Sequence, residues 1–200
     1  GGHKAGDVAS RAAIEKFVKY ACTTHMSDPA NILDSGIISI NKEIYDMAIS
    51  NKDYSGMGTT FVACSIVDNH VYIANVGDSR LYLIGRDIRQ ITRDHSLVED
   101  MVRMGMIDKE EAKTHYKKNV ITKAIGVADD RTATPDIFEI EISDGEKLLL
   151  CSDGLTNMVE DYEIKKIVTK NERIEDAVRA LIDQANEELK QENSNKNPVI

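Results

Sequence analysis

Residues 56–92 read GMGTTFVACSIVDNHVYIANVGDSRLYLIGRDIRQIT. Short runs rich in Val, Ile, Thr and Tyr (Thr59 to Val67, Val71 to Val76, Arg80 to Ile84 and Ile88 to Thr92) are separated by Asp68-Asn69-His70 and Gly85-Arg86-Asp87. β-branched and aromatic side chains suit a pleated, half-buried surface, and Asn, Asp and Gly supply turns, so the stretch predicts an antiparallel meander. Gly56-Met57-Gly58-Thr59-Thr60 lacks the Lys of a phosphate-cradling P-loop and precedes a strand, so it reads as a tight turn feeding the sheet.

Upstream the period changes. Val8, Ala12, Ala13, Phe17, Val18, Ala21 and Cys22 recur at the spacing of one helix face between Asp7 and about Thr24, with Asp7 as the expected N-cap. Ser27-Asp28-Pro29 signals a second helix start, continued by Ile37, Ile40, Ile44, Met47 and Ala48 and weakened by Gly36. Downstream, Ser96 to Tyr116 is again helical and charge-rich. Met101, Met104 and Met106 fall there at the spacing of a packed helix face, and an extended Val120 to Ile125 follows. Ile137 to Ile142 and Lys147 to Ser152 flank Ser143-Asp144-Gly145-Glu146, which predicts a hairpin. Two helices, about 160–170 and 173–190, lead to a polar tail, Gln191 to Lys196, expected to be loose. Helices, then mainly antiparallel strands, then helices predict an α+β sandwich and not an alternating βαβ fold.

Two hundred residues, 42% hydrophobic and 30% charged, are enough for one core, so a single domain over 1–200 is expected. A net charge of −9 argues against nucleic-acid or anionic-membrane surfaces and for a basic or phosphorylated partner. Cys22, Cys64 and Cys151 are scattered and odd in number, which predicts neither a disulfide framework nor a CxxC zinc site and fits a reducing cytoplasm. No apolar run approaches the roughly 20 residues of a membrane helix, and Gly1-Gly2-His3-Lys4 is not a signal peptide.

Three turns place an Asp at the end of a β-rich run: Gly77-Asp78-Ser79-Arg80, Arg93-Asp94-His95 and Ser152-Asp153-Gly154-Leu155. Carboxylates on short stems at converging strand ends suit a hard divalent cation such as Mg2+ or Mn2+. Asp153 is the foremost candidate, because an acid emerging from Leu148-Leu149-Leu150 needs a counterion or a role. The plainer readings stay open: Asp153 turning the chain, Asp78 pairing with Arg80 or capping a turn, Asp94 as a helix-start charge. His3 and His95 are either acid/base groups or hydrogen-bonded structural histidines.

Taken in order, these stretches resemble the metal-dependent protein phosphatases of the type 2C family, in its compact bacterial branch. Gly1-Gly2-His3-Lys4-Ala5-Gly6-Asp7 is similar to the end of that family's Asp-Gly-Met-Gly-Gly-His segment. Ser55-Gly56-Met57-Gly58-Thr59-Thr60, Val76-Gly77-Asp78-Ser79-Arg80, Thr92-Arg93-Asp94-His95-Ser96, Ile121-Thr122-Lys123-Ala124-Ile125-Gly126 and Cys151-Ser152-Asp153-Gly154-Leu155 resemble its later blocks. The resemblance implies an αββα sandwich and hydrolysis of phosphoserine and phosphothreonine in proteins by water activated on two to three Mn2+ or Mg2+ ions, with no phosphoenzyme. It implies that Asp153 ligates a metal and that Asp78 helps to hold a third, looser one. Residues 96–120 would be a flap beside the cleft, with Ser96, Met101 and Met104 facing substrate. The implied partners of the monomer are phosphoproteins of a bacterial Ser/Thr kinase and the kinase itself. The family's Asp-Gly-Met precedes Gly1, and Lys196-Asn197-Pro198-Val199-Ile200 has Lys where the family's last acid stands, so the expectation is a fragment that binds the metal pair poorly. The alternative is a catalytically silent module that binds phosphoproteins or a regulatory partner.

Overall fold

A computed structural model describes residues 5–128 and 133–196, with side chains through 194. In chain order the elements are α1 (Gly6–Thr23), α2 (Pro29–Ser50), a 3-10 turn (Lys52–Tyr54), β1 (Phe61–Val67), β2 (His70–Val76), β3 (Arg80–Ile84) and β4 (Ile88–Gln90). They continue with α3 (Leu97–Arg103), α4 (Lys109–Thr114), β5 (Asp136–Glu141), β6 (Lys147–Cys151), α5 (Asp153–Thr156), α6 (Asp161–Lys170) and α7 (Ile174–Lys196). The chain divides into two compact units, residues 1–79 with 92–142 and residues 80–91 with 143–200.

The first unit carries a sheet of order β1-β2-β5, antiparallel throughout, with Phe61 opposite Val76 and Tyr72 opposite Glu139. Its core joins Ala9 and Ala13 of α1 and Leu33, Ile37, Ile40, Ile44 and Ala48 of α2 to Met57, Phe61, Ala74, Val76 and Ile125. The predicted stripe of α2 is therefore the buried one, and Asp28 caps the helix by accepting from the Ala30 N–H at 3.1 Å. Gly36 lets the two helices close up: a Cβ there would stand 2.8 Å from the Phe17 ring and 2.9 Å from that of Tyr20. Asp7 is not the N-cap of α1; Ala5 is, and Asp7 sits inside the first turn, where its charge still suits the helix N-terminus.

The second unit carries a sheet of order β4-β3-β6, with Arg80 opposite Cys151 and Ile84 opposite both Lys147 and Ile88. Tyr82, Ile84, Val159, Ile164, Val168 and Leu181 form its core. Tyr82 is fully buried, yet its hydroxyl is satisfied, donating to Asp161 Oδ1 at 3.0 Å and accepting from Arg80 Nη1 at 2.9 Å. Burial pushes its phenol well above the ordinary range. Lys147 reaches across to donate to the Val168 and Asn171 carbonyls at the end of α6, at 2.9 and 3.1 Å.

Four sequence expectations need correction. The runs of 59–92 are not one meander: β1 pairs with β2 and β3 with β4, but β2 takes β5 as its second neighbour and β3 takes β6. Nor are β5 and β6 a hairpin. The turn itself forms, with Gly145 at φ 84° and Glu146 N–H donating to the Ser143 carbonyl at 3.1 Å, but it passes the chain from one sheet to the other. In both cases a buried central strand, β2 or β3, must satisfy its backbone on both edges, and that requirement outranks sequence proximity. Gln191 to Lys196 continues α7, as its Glu, Gln and Lys residues favour. The methionines are not packed as one face. Met101 is half-buried, whereas Met104 and Met106 are 75% and 65% exposed, because α3 stops at Arg103 and Gly105, at φ 69°, turns the chain away.

Candidate functional site

Asp78 stands on a turn that is pinned on both sides. Gly77, at φ 106°, occupies a conformation that L side chains rarely adopt, and a Cβ there would fall 2.3 Å from the Thr60 methyl. Its N–H donates to His95 Nδ1 at 3.0 Å, and its carbonyl accepts from the His95 N–H at 3.0 Å and from Asn75 Nδ2 at 3.1 Å. Asn75 Nδ2 also reaches the Arg93 carbonyl at 2.9 Å. On the far side of Asp78, the Ser79 hydroxyl lies 2.8 Å from that of Thr60. The carboxylate itself is half-buried.

Asn75 and His95, 0% and 7% exposed, make this a buried polar core. Because Nδ1 of His95 accepts, the neutral ring carries its proton on Nε2, which lies 3.3 Å from Asp136 Oδ1. That distance suits an ion pair when the ring is charged, but the alignment falls short of a hydrogen bond, so Nε2 and Asn75 Oδ1 are the two buried side-chain polar atoms without one among the described residues. Burial, reinforced by the Lys123 ammonium, pushes the His95 pKa down. Burial would push the Asp136 carboxyl up, but His95 and Lys123, whose Nζ lies 3.3 Å away, outweigh it and hold it below the ordinary value. Thr122 N–H closes the arrangement by donating to the His95 carbonyl at 2.8 Å.

Of the predicted acidic turns, Gly77-Asp78-Ser79 and Arg93-Asp94-His95 therefore come together in the first unit, joined by His95 and Asn75. Asp153 belongs to the second unit. It lies exposed in the first turn of α5, directly after β6, and its Oδ2 accepts from Asn157 Nδ2 at 3.3 Å. The β3–β6 ladder ends on the pair Arg80 and Cys151, and Cys151 stands two residues before Asp153 in the chain. Ser96 is buried and caps α3 by accepting from the Glu99 N–H at 3.2 Å. His3 and the stretch Asn197 to Ile200 lie outside the described residues. Gly56-Met57-Gly58 is a packed turn, with Met57 fully buried and Thr59 bridged to Ile125.

Sequence reasoning missed Asn75 in this core and half-buried Lys123 and Asp136 beside it. Asn75 had a signal, a lone amide inside the apolar run 71–76, since a buried amide needs partners. Asp136, opening β5, had none. As donors, Asp78 and Asp153 fit a hard divalent cation: oxygen ligands on short stems, one pinned and one exposed. Among the described residues there is no group of three or more His, Cys, Asp or Glu side chains arranged to hold an ion.

An α+β chain with two antiparallel sheets and acids at its strand ends defines a class, and the comparisons give it a family. The family model for protein phosphatase 2C matches residues 1–100. "Serine/threonine phosphatase stp" of Listeria innocua serovar 6a is 42% identical over 191 residues, 93% of this chain and 75% of the relative. Among solved structures, serine/threonine phosphatase Stp1 from Staphylococcus aureus superposes with a TM-score of 0.87 at 40% identity, covering 94% of this chain and 75% of that one. The catalytic domain of serine threonine protein phosphatase PstP, in complex with two manganese ions, has a TM-score of 0.81 at 30% identity, covering 94% and 78%. The chain belongs to the protein phosphatase 2C family.

Proposed function

We propose that this chain, a serine/threonine protein phosphatase by its family, hydrolyses phosphoserine and phosphothreonine in proteins with a metal-activated water. The observation that carries the reading is the likeness, over nearly the whole chain, to proteins named serine/threonine phosphatases. Asp153 is a ligand of the tightly held ions and Asp78 of a third, looser one, with Mn2+ or Mg2+ as the metal and two to three ions in all. Bound there, such ions supply water of lowered pKa and neutralise charge on the phosphoryl oxygens. The chain's part is to hold carboxylates still: Gly77 and Ser79 are both tied down, so Asp78 loses little freedom when it takes up a cation.

Residues 96–120, comprising α3 and α4, form the flap of one phosphatase domain spanning 1–200. Met104 is exposed enough to meet a protein substrate, Met101 is half-buried, and Ser96 holds the helix start. The substrates are phosphoproteins of a Ser/Thr kinase and the kinase itself. No described helix is long and apolar enough to cross a membrane, and a cytoplasmic monomer is the proposed form.

The test is hydrolysis of a phosphothreonine peptide by the complete protein. Turnover should stop with EDTA and return with Mn2+ or Mg2+. Asp153→Asn, which replaces a charged ligand by a neutral amide, should lower it on the order of 100-fold or more, since a catalytic metal supplies several kcal/mol of transition-state stabilisation. Turnover that persists in EDTA sinks the metal reading. A folded protein without any turnover shifts the assignment to a phosphoprotein-binding module.

A further inference from the structure

We propose that His95 is the positioning residue of Asp78, setting through Gly77 how tightly that carboxylate holds its divalent cation. The inference rests on the reading of Asp78 as a metal ligand. His95 makes two bonds to Gly77 alone: its Nδ1 accepts from the Gly77 N–H and its own N–H donates to the Gly77 carbonyl, both at 3.0 Å. Such a paired contact fixes the peptide planes on either side of Gly77, and hence the direction in which the chain leaves for Asp78. The tie matters because Gly77 sits at φ 106°, where the backbone has no side chain to hold it.

The ring is faced from behind: its Nε2 lies 3.3 Å from Asp136, which is met by Lys123 at 3.3 Å, while the Thr122 N–H donates to the His95 carbonyl at 2.8 Å and so holds the backbone that carries the ring. Segments that lie far apart in sequence, at Gly77 and Asp136, thus converge on one imidazole. A core histidine serving stability alone would need only to be satisfied; this one spends the one hydrogen bond of its ring on the residue before the acid. Groups that orient ligands from behind typically set metal affinity by 10- to 100-fold.

The experiment is Mn2+ titration of the complete protein, followed by the electron paramagnetic resonance of free Mn2+ and needing no turnover. Asp78→Asn should abolish the weaker class of sites and spare the tight class. His95→Leu should weaken that same class about 10-fold or more, with the tight class unchanged. His95→Asn, whose Oδ1 stands where Nδ1 stood and still accepts from Gly77, should stay close to wild type. If His95→Leu does not fold, Asp136→Asn is the second probe. It keeps the shape but removes the charge that faces Nε2, and should weaken the same class to a lesser degree. Equal losses in both classes, or a weaker class untouched by His95→Leu or by Asp136→Asn, overturn the proposal. An Asp78→Asn protein with every class intact overturns the reading of Asp78 beneath it as well, and is told apart by that result.

Discussion

His95 gives its two ring nitrogens opposite roles, an acceptor toward Gly77 and a proton toward Asp136, and this fixes how acid acts on the fold. Its folded pKa lies below its unfolded value, so on acidification the unfolded chain takes up the proton first. The stabilisation is intact above about pH 6.5 and drains away as pH falls through the folded value. Asp136, also depressed, adds a second loss below its ordinary carboxylate range, where the folded state resists protonation and the unfolded state does not. In metal-free protein, unfolding free energy measured by denaturant should therefore fall as pH drops below about 6.5, and fall less steeply in His95→Asn. Equal slopes would show that the ring is not held neutral in the fold. The sequence offered His95 as either a structural or a proton-transfer histidine; in the fold it is buried with a backbone donor at Nδ1, and nothing local announces Asp136 as its neighbour.

Among the elements, α2 shows how a helix positions a loop it does not touch in sequence. Asn41 is 4% exposed on a helix face otherwise given to Leu33, Ile37, Ile40 and Ile44. Its Oδ1 accepts from the Gly126 N–H at 2.8 Å and its Nδ2 donates to the Ala128 carbonyl at 3.1 Å, clamping the segment that also bridges Thr59. Asn41→Leu keeps the branched outline but strands both backbone groups, and should cost about 2–3 kcal/mol in denaturant unfolding. A change below about 0.5 kcal/mol would mean that water replaces the clamp. The stripe of α2 was legible because a 3.6-residue period needs only local sequence; the polar exception on it was not, because its partners lie 85 and 87 residues away. The strands tell the same story. Their positions and the Ser143–Glu146 turn followed from composition, but their partners did not, since turn chemistry bends the chain without choosing which edge receives the next strand.

On the scale of the whole molecule, net charge is the sequence property that most directly limits partners. At −9, the chain should not retard duplex DNA at physiological salt, because phosphate contacts require an excess of Lys and Arg. Salt-sensitive retardation in a gel would show a basic surface that the overall balance conceals. The sequence by itself determined the class of the fold, the buried stripe of α2 and the three acidic turns, because periodicity, capping and turn residues act over a few positions. It determined the family too, through blocks that recur in order. Only the tertiary structure decided that the strands of 59–92 belong to two sheets, that β5 and β6 pair with earlier strands and not with each other, and that buried Asn75 and His95 meet at Gly77, with half-buried Asp136 and Lys123 beside the His95 ring. Those outcomes depend on satisfying buried backbone and side-chain polar groups across long sequence separations, a requirement that no short window of sequence contains.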